Sequence, residues 1–265
     1  MIIRRYQAER DARYAEQIAA LELLATYPLG SDSFQIGHGA NYFAFFDRLG
    51  TNHYYFALEG DRVAAVGAGI LRTIEAPTWK VRAWYLCDLK VHPDYRGRHV
   101  PLRMLSKAFL PNYLRCRRGY AISMNPGDGS PNRIVRLISN FRWAPSRLAT
   151  TLMIFSLDYD QLRRHVGVIE RRRGPVSFLS LEGKKDIILK STGHPMPLLH
   201  AQFGPCADPA AGTPRPGSVH MFCAPIDDAL TAEFKARGFE PSGAASVIHH
   251  GMAGQDWRFI LTSDI

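Results

Sequence analysis

No apolar run in this 265-residue chain approaches the roughly 20 residues needed to cross a bilayer. The opening residues Met1-Ile2-Ile3-Arg4-Arg5-Tyr6 lack the apolar stretch of a secretory signal. Cysteine is scarce. Cys87, Cys116, Cys206 and Cys223 show neither CxxC pairing nor companion histidines at metal-ligand spacing, so buried thiols are expected rather than a metal centre. These absences predict a cytoplasmic protein with no membrane span and no metal.

What is present suits a globular protein: 46% hydrophobic and 22% charged residues, in one large domain or two modest ones. The formal charge of +9 is unevenly placed. Residues 1–158 hold 21 Lys and Arg against 13 Asp and Glu, and residues 159–265 hold 12 against 11. A basic first half suits nucleic acid, an anionic membrane or an anionic cofactor. The cofactor needs the fewest assumptions, because several phosphates require a local positive field. The basic stretches Arg163-Arg164-His165 and Arg171-Arg172-Arg173-Gly174-Pro175 read as an exposed junction between domains. Without interleaved aromatic residues they argue against nucleic acid as a partner.

Hydrophobic periodicity predicts helices over residues 11–26 and 41–49, the first placing Leu21 or Glu22 on its apolar face. It predicts strands over 53–58, 62–72 and 84–92, a helix over 102–114, a strand over 120–124, a helix over 131–139 and a strand over 150–157. Farther on, strands are expected at 176–181, 185–190, 197–203, 219–223 and 257–262, with a helix at 226–237. The order implies a mixed sheet with helices on its faces, an α/β (α+β) class. The expected units are residues 1–158 and a smaller α/β unit, 159–265.

Between the strand 84–92 and the helix 102–114 lies Tyr95-Arg96-Gly97-Arg98-His99-Val100-Pro101-Leu102. A Gly/Arg-rich turn opening directly into a helix gathers backbone N–H groups and the positive end of a helix dipole, a combination that binds phosphate.

The run Leu89-x-Val91-His92-Pro93-x-Tyr95-Arg96-Gly97-Arg98 followed by a helix resembles the acyl-CoA-binding motif of the GNAT acyltransferase superfamily. The element order over residues 1–158, about sixty per cent of the chain, is similar to that fold. The resemblance implies a GNAT-like, mostly antiparallel mixed sheet flanked by helices, and acetyl-CoA or another acyl-CoA as co-substrate. It places Leu89 and Val91 beside the pantetheine arm and Arg96, Gly97, Arg98, His99, Val100 and Leu102 at the phosphates. His99 and Pro101 depart from the family pattern, which favours glycine at the first position and glycine or alanine at the second. Proline removes one N–H but is favoured in the first turn of a helix.

The family's tyrosine acid has no counterpart: five residues before Phe141 stands Arg136. Asp88 is the only carboxylate on the central strand. It is a candidate general base or the partner of a nearby arginine, and alternation puts Tyr85 and Cys87 on the opposite face. The N–H near Leu89 is the expected oxyanion donor.

The aromatic group Tyr42, Phe43, Phe45 and Phe46 suits either the border of an acceptor site or a helix core face. A helix closing in Gly238-Phe239 suggests a second, partial GNAT-like unit without its own phosphate turn, and equally fits an ordinary helix C-cap. Adjacent His249 and His250 on a strand point to opposite faces and would not chelate one metal. The implied activity is acyl transfer to a small-molecule or peptide amine. The alternative is a catalytically degenerate binding protein of the same fold.

Overall fold

The computed structural model describes residues 1–76, 79–126, 135–136, 145–208, 210 and 212–265. Its strands are β1 (Ile2–Arg5), β2 (Tyr27–Leu29), β3 (Asp32–Gly37), β4 (Thr51–Glu59), β5 (Arg62–Ala76), β6 (Trp79–Val91), β7 (Gly119–Met124), β8 (Arg147–Leu157), β9 (Val176–Leu179), β10 (Asp186–Leu189), β11 (Leu198–Phe203), β12 (Val219–Pro225) and β13 (Gly243–His250). The helices are α1 (Ala8–Asp11), α2 (Ala15–Glu22), α3 (Ala44–Asp47), α4 (Val100–Tyr113), α5 (Tyr159–Arg173) and α6 (Ala229–Ala236). None of the described helices is long and apolar enough to cross a membrane. The expected helix 131–139 lies outside the described residues apart from Val135 and Arg136, which are helical.

Ten strands form one sheet in the order β1-β4-β5-β6-β7-β13-β8-β12-β11-β9. Every pair is antiparallel except β6–β7 and β11–β12. The two parallel pairs flank the central quartet β7-β13-β8-β12, so the halves of the chain meet symmetrically. The boundary expected at 158/159 coincides with no break in the sheet, because β13 threads back between β7 and β8. A separate three-stranded sheet, β10-β3-β2, joins a hairpin from the first half to a strand of the second.

Burial on both sides explains why β5 runs from Val63 to Leu71 without a polar side chain. One face of the large sheet packs on α2 and α3 through Ile18, Phe45, Phe46, Tyr54, Phe56 and Ile70. The other receives α4, whose Val100 and Met104, one helical turn apart, sit on Ala57, Ala64 and Ala65. The small alanines let the helix approach closely, and burying each of the two larger side chains contributes about 1.5–3 kcal/mol.

Three expectations need correction. The basic stretch 163–173 is no junction but most of α5, capped by Asp158 and Gln161 in a reciprocal box. Its buried Leu162, Val168 and Ile169 form a stripe that the arginines obscure in the sequence, and two of those arginines hold Glu233 of α6. The final strand is Gly243–His250, whereas Trp257–Phe259 forms a 3-10 turn held by Asp256. Small residues (Gly243, Ala244, Ala245, Ser246) hide a strand that is central and covered on both sides. The helix expected over 11–26 is shortened to α2, which follows a 3-10 turn at Ala12–Tyr14 and ends at Glu22, and Tyr27 already begins the β2–β3 hairpin, where Gly30 at φ +57° makes the turn.

Candidate active site

The site begins where two strands part. β6 and β7 pair only from Trp84 to Leu86 against Gly119 to Ala121, yet β6 runs on to Val91 and β7 to Met124. Beyond Leu86 the sheet is open. A cavity of about 270 Å³ passes through this opening. On the α4 face it is lined by Leu89, Pro101, Leu102 and Leu105; on the far face it is lined by Tyr27, Phe34, Phe45 and Ile187.

At the opening β6 carries a bulge. Its register against β5 shifts between Val66 and Ala68, so that Gly67 faces the Asp88–Leu89 pair. Asp88 takes φ +56°, a conformation that aspartate tolerates better than most residues. The bulge overturns the expected alternation. Asp88 turns onto the face of Tyr54 and Cys87, while Val91 packs on the α4 side. A bulge leaves no periodic signal, so alternation alone could not place Asp88.

Asp88 is the centre of a buried polar cluster. It accepts hydrogen bonds from Tyr42 (2.8 Å) and Tyr54 and pairs with Lys90, not with an arginine. Lys90 also pairs with Glu22 of α2, which lies 3.5 Å from His38 Nε2. Burial raises the proton affinity of Asp88, with Glu22 adding to the effect and Lys90 opposing it. Burial also acts on Glu22, but Lys90 and His38 outweigh it and hold that carboxyl below its usual range. Glu22 was visible in the sequence only as an acidic residue on an apolar helical stripe. His38 and Lys90 carried no such signal.

The phosphate-like turn lies on the α4 side. His92 caps a 3-10 turn, Pro93–Tyr95, through its ring nitrogen, and Tyr95 is buried beneath α4. Gly97 (φ +80°) and His99 (φ +54°) both adopt left-handed conformations, so His99 keeps the backbone a glycine would take. Among the described residues, no acceptor is bonded to the N–H groups of Gly97, Arg98, His99, Val100 or Leu102. Pro101 occupies the first turn of α4 and removes one donor from that set. Arg96, Arg98 and His99 are exposed, and the Arg98 guanidinium lies 5.1 Å from the Tyr95 ring centre. Together they form a donor-rich, positive mouth beside the α4 end of the cavity.

On the far side, Lys185 is buried against the Phe45 ring, 4.7 Å from its centre, and burial lowers its pKa to about 7, with Arg48 adding to the effect. His38 Nδ1 donates to the carbonyl of Lys184 (2.9 Å) and fixes the segment that carries Lys185. His200, hydrogen-bonded to Thr262 (3.0 Å), also lines this end and is kept neutral by burial and by Lys185. Phe45 and Phe46, expected either at an acceptor border or in a core, belong to the main core cluster and also line the cavity.

No protein-family model matches the chain. An uncharacterised protein of Acanthamoeba polyphaga mimivirus is 20% identical over 235 residues, 85% of this chain and 68% of that protein. Among solved structures, the tandem GNAT protein from the clavulanic acid biosynthesis pathway matches 96% of this chain and 99% of its own at 13% identity, with a TM-score of 0.52. An N-acetyltransferase from Anabaena variabilis ATCC 29413 matches at 8% identity, over 94% of this chain and 72% of its own, with a TM-score of 0.49. Given the strand order, the splayed parallel pair and the tandem match, this chain has the GNAT fold, joined through one continuous sheet to a second, partial unit.

Proposed function

We propose that the chain is an acyl-CoA-dependent N-acyltransferase that passes an acyl group, in the simplest case acetyl, directly to an amine. One observation carries this reading: the opening between β6 and β7 lies beside a turn whose backbone N–H groups have no acceptor of their own. An extended arm ending in a pyrophosphate fits that arrangement, with Gly97, Arg98, His99, Val100 and Leu102 donating to phosphate oxygens and Arg96 and Arg98 supplying charge. Leu89 and Val91, on the strand edge that β7 leaves unpaired, would flank the arm.

In this reading the amine nitrogen enters from the far face and bonds to the thioester carbonyl carbon. The carbon–sulfur bond then breaks, and the thiolate leaves toward α4 and takes a proton from water. The bulge supports Leu89 N–H as donor to the oxyanion, because it takes that peptide out of register with β5. Asp88 receives the proton of the amine. Its raised proton affinity suits that task, and Tyr42, Tyr54 and Lys90 fix its position. Holding both reactants in one cavity supplies much of the rate, so a strong acid is not required.

The non-catalytic alternative draws support from the same cluster, since Asp88 already satisfies three donors, and from His99 and Pro101 at the turn. Calorimetric titration with acetyl-CoA and CoA separates the readings when followed by assay of thiol release with amines. Micromolar binding with turnover supports the transferase. A folded protein giving no heat with either ligand removes it.

A further inference from the structure

The far end of the cavity is electrically polarised, and of the side chains that make it so the acyl-transfer reading uses only Asp88 and Lys90. One pole is acidic. Glu22 and Asp88, two carboxylates, share the single cation Lys90, and Glu22 Oε1 is buried without any hydrogen-bond partner. The other pole is basic. Lys185, Arg48 and Arg72 stand against one carboxylate, Asp264, which takes Arg72 at 3.2 Å and Arg48 at 3.9 Å. Asp264 is thereby occupied. Among the described residues Lys185 has no carboxylate within ion-pairing distance, although the residue is only 6% exposed and lines the cavity.

Much of the remaining lining is hydrocarbon and aromatic: Tyr27, Leu29, Phe34, Ile36, Ile187 and Met221. An ammonium kept out of water with no counter-ion is unfavourable unless a ligand supplies the anion. The excess carboxylate at the opposite pole calls for a cationic or amine group in the same way.

We infer that the cavity is built for a zwitterion with an apolar body, an amino acid with an apolar side chain, its carboxylate on Lys185 and its amine at Glu22 and Asp88. This assignment rests on the acyl-transfer reading for its consequence, since it would make the amino group the acceptor and an N-acyl amino acid the product. The binding itself does not depend on that reading. A simple apolar amine leaves Lys185 unpaired, and a fatty acid leaves the acidic pole unpaired, so each lacks one half of the match.

The test is calorimetry without acyl-CoA, titrating leucine, methionine, phenylalanine and tryptophan, together with phenethylamine and 3-phenylpropionate, into wild type, Lys185→Met and Lys185→Arg. At least one amino acid is expected to bind wild type about ten-fold or more tighter than phenethylamine. Lys185→Met should lose about ten- to a hundred-fold for the amino acid and for 3-phenylpropionate, with phenethylamine unchanged. Lys185→Arg should recover most of the loss. Thermal melts establish that each variant is folded.

Equal binding of phenylalanine and phenethylamine, an unchanged affinity in folded Lys185→Met, or no binding of any of the four amino acids overturns the inference. A parallel titration of wild type with CoA separates the two ideas. CoA heat without carboxylate dependence refutes the zwitterion site alone, whereas carboxylate dependence without CoA heat refutes acyl transfer and leaves the site standing.

Discussion

Lys185→Met is expected to stabilise the protein at neutral pH, and by an amount that shrinks as pH rises. A free lysine titrates near 10.5, whereas burial, with Arg48 adding to it, brings Lys185 to about 7. Asp264, Glu22 and Cys87 oppose that drop, and neutral His200 and the Phe45 ring add no charge. Between those two values the folded chain has released the proton and the unfolded chain still holds it. The unfolded state therefore binds more protons, and stability rises with pH across this window.

At about 1.4 kcal/mol per pKa unit, the whole window is worth on the order of 4 kcal/mol. Urea unfolding of wild type and Lys185→Met at pH 7, 8, 9 and 10 gives the measurement. The buried cysteines and tyrosines titrate in both proteins, so the difference between the two curves isolates Lys185. The variant should be the more stable at pH 7, with its advantage falling toward pH 10. A difference that stays flat, or grows with pH, would refute the assignment of Lys185 as an unpaired buried amine.

Four further outcomes follow from the geometry. Arg96→Ala with Arg98→Ala should weaken CoA binding about ten- to a hundred-fold and flatten its salt dependence, while melting temperature stays put because both side chains are exposed. Lys90→Met leaves Glu22 and Asp88 as two buried carboxylates without their shared cation; a loss of about 3–5 kcal/mol is expected at pH 8, partly recovered at pH 5 where protonation removes the charge. His99→Gly relieves a β-carbon at φ +54° and should raise stability by up to about 1 kcal/mol without weakening CoA binding, as read by paired melts and titrations. Gly39→Ala would place a β-carbon 2.1 Å from the Gly183 carbonyl oxygen at φ +59°; it should destabilise by more than about 2 kcal/mol in urea unfolding and disturb the segment that carries Lys185.

The turn at 95–102 and the strands around it were legible because their signals are local: Gly97 between arginines, a proline where a helix opens, and an unbroken apolar run along β5. The polar cluster was not. Glu22, His38, Asp88 and Lys90 come together only because a bulge reverses one residue's direction and a helix from the first turns of the chain lies against it. The face of Asp88 was misread for that reason. Lys185 is equally silent in the sequence, where it stands only as the first residue of the strand expected at 185–190. Its burial comes from the β10-β3-β2 sheet, whose three strands are drawn from both halves of the chain. The arginine-rich stretch that became α5 shows the opposite failure, in which charge masked an apolar stripe that periodicity alone would have found.

The position of β13 constrains the order in which this protein can be made. Val247 bonds across to Ile122 on one side and Thr150 on the other, so the gap between β7 and β8 is filled by a segment translated roughly 90 residues after β8 ends. At common elongation rates that is a wait of about 5–20 s. During it the nascent chain holds two facing strand edges, rich in Ile122, Leu152 and Ile154, with nothing between them. Such edges invite pairing with another chain. The first half, which carries the whole phosphate-like turn, therefore lacks the outer neighbour of β7 until the second half is made. The sheet that carries the turn at 95–102 is thus complete only when synthesis has passed residue 250, which couples quality control of the second half to the folding of the first.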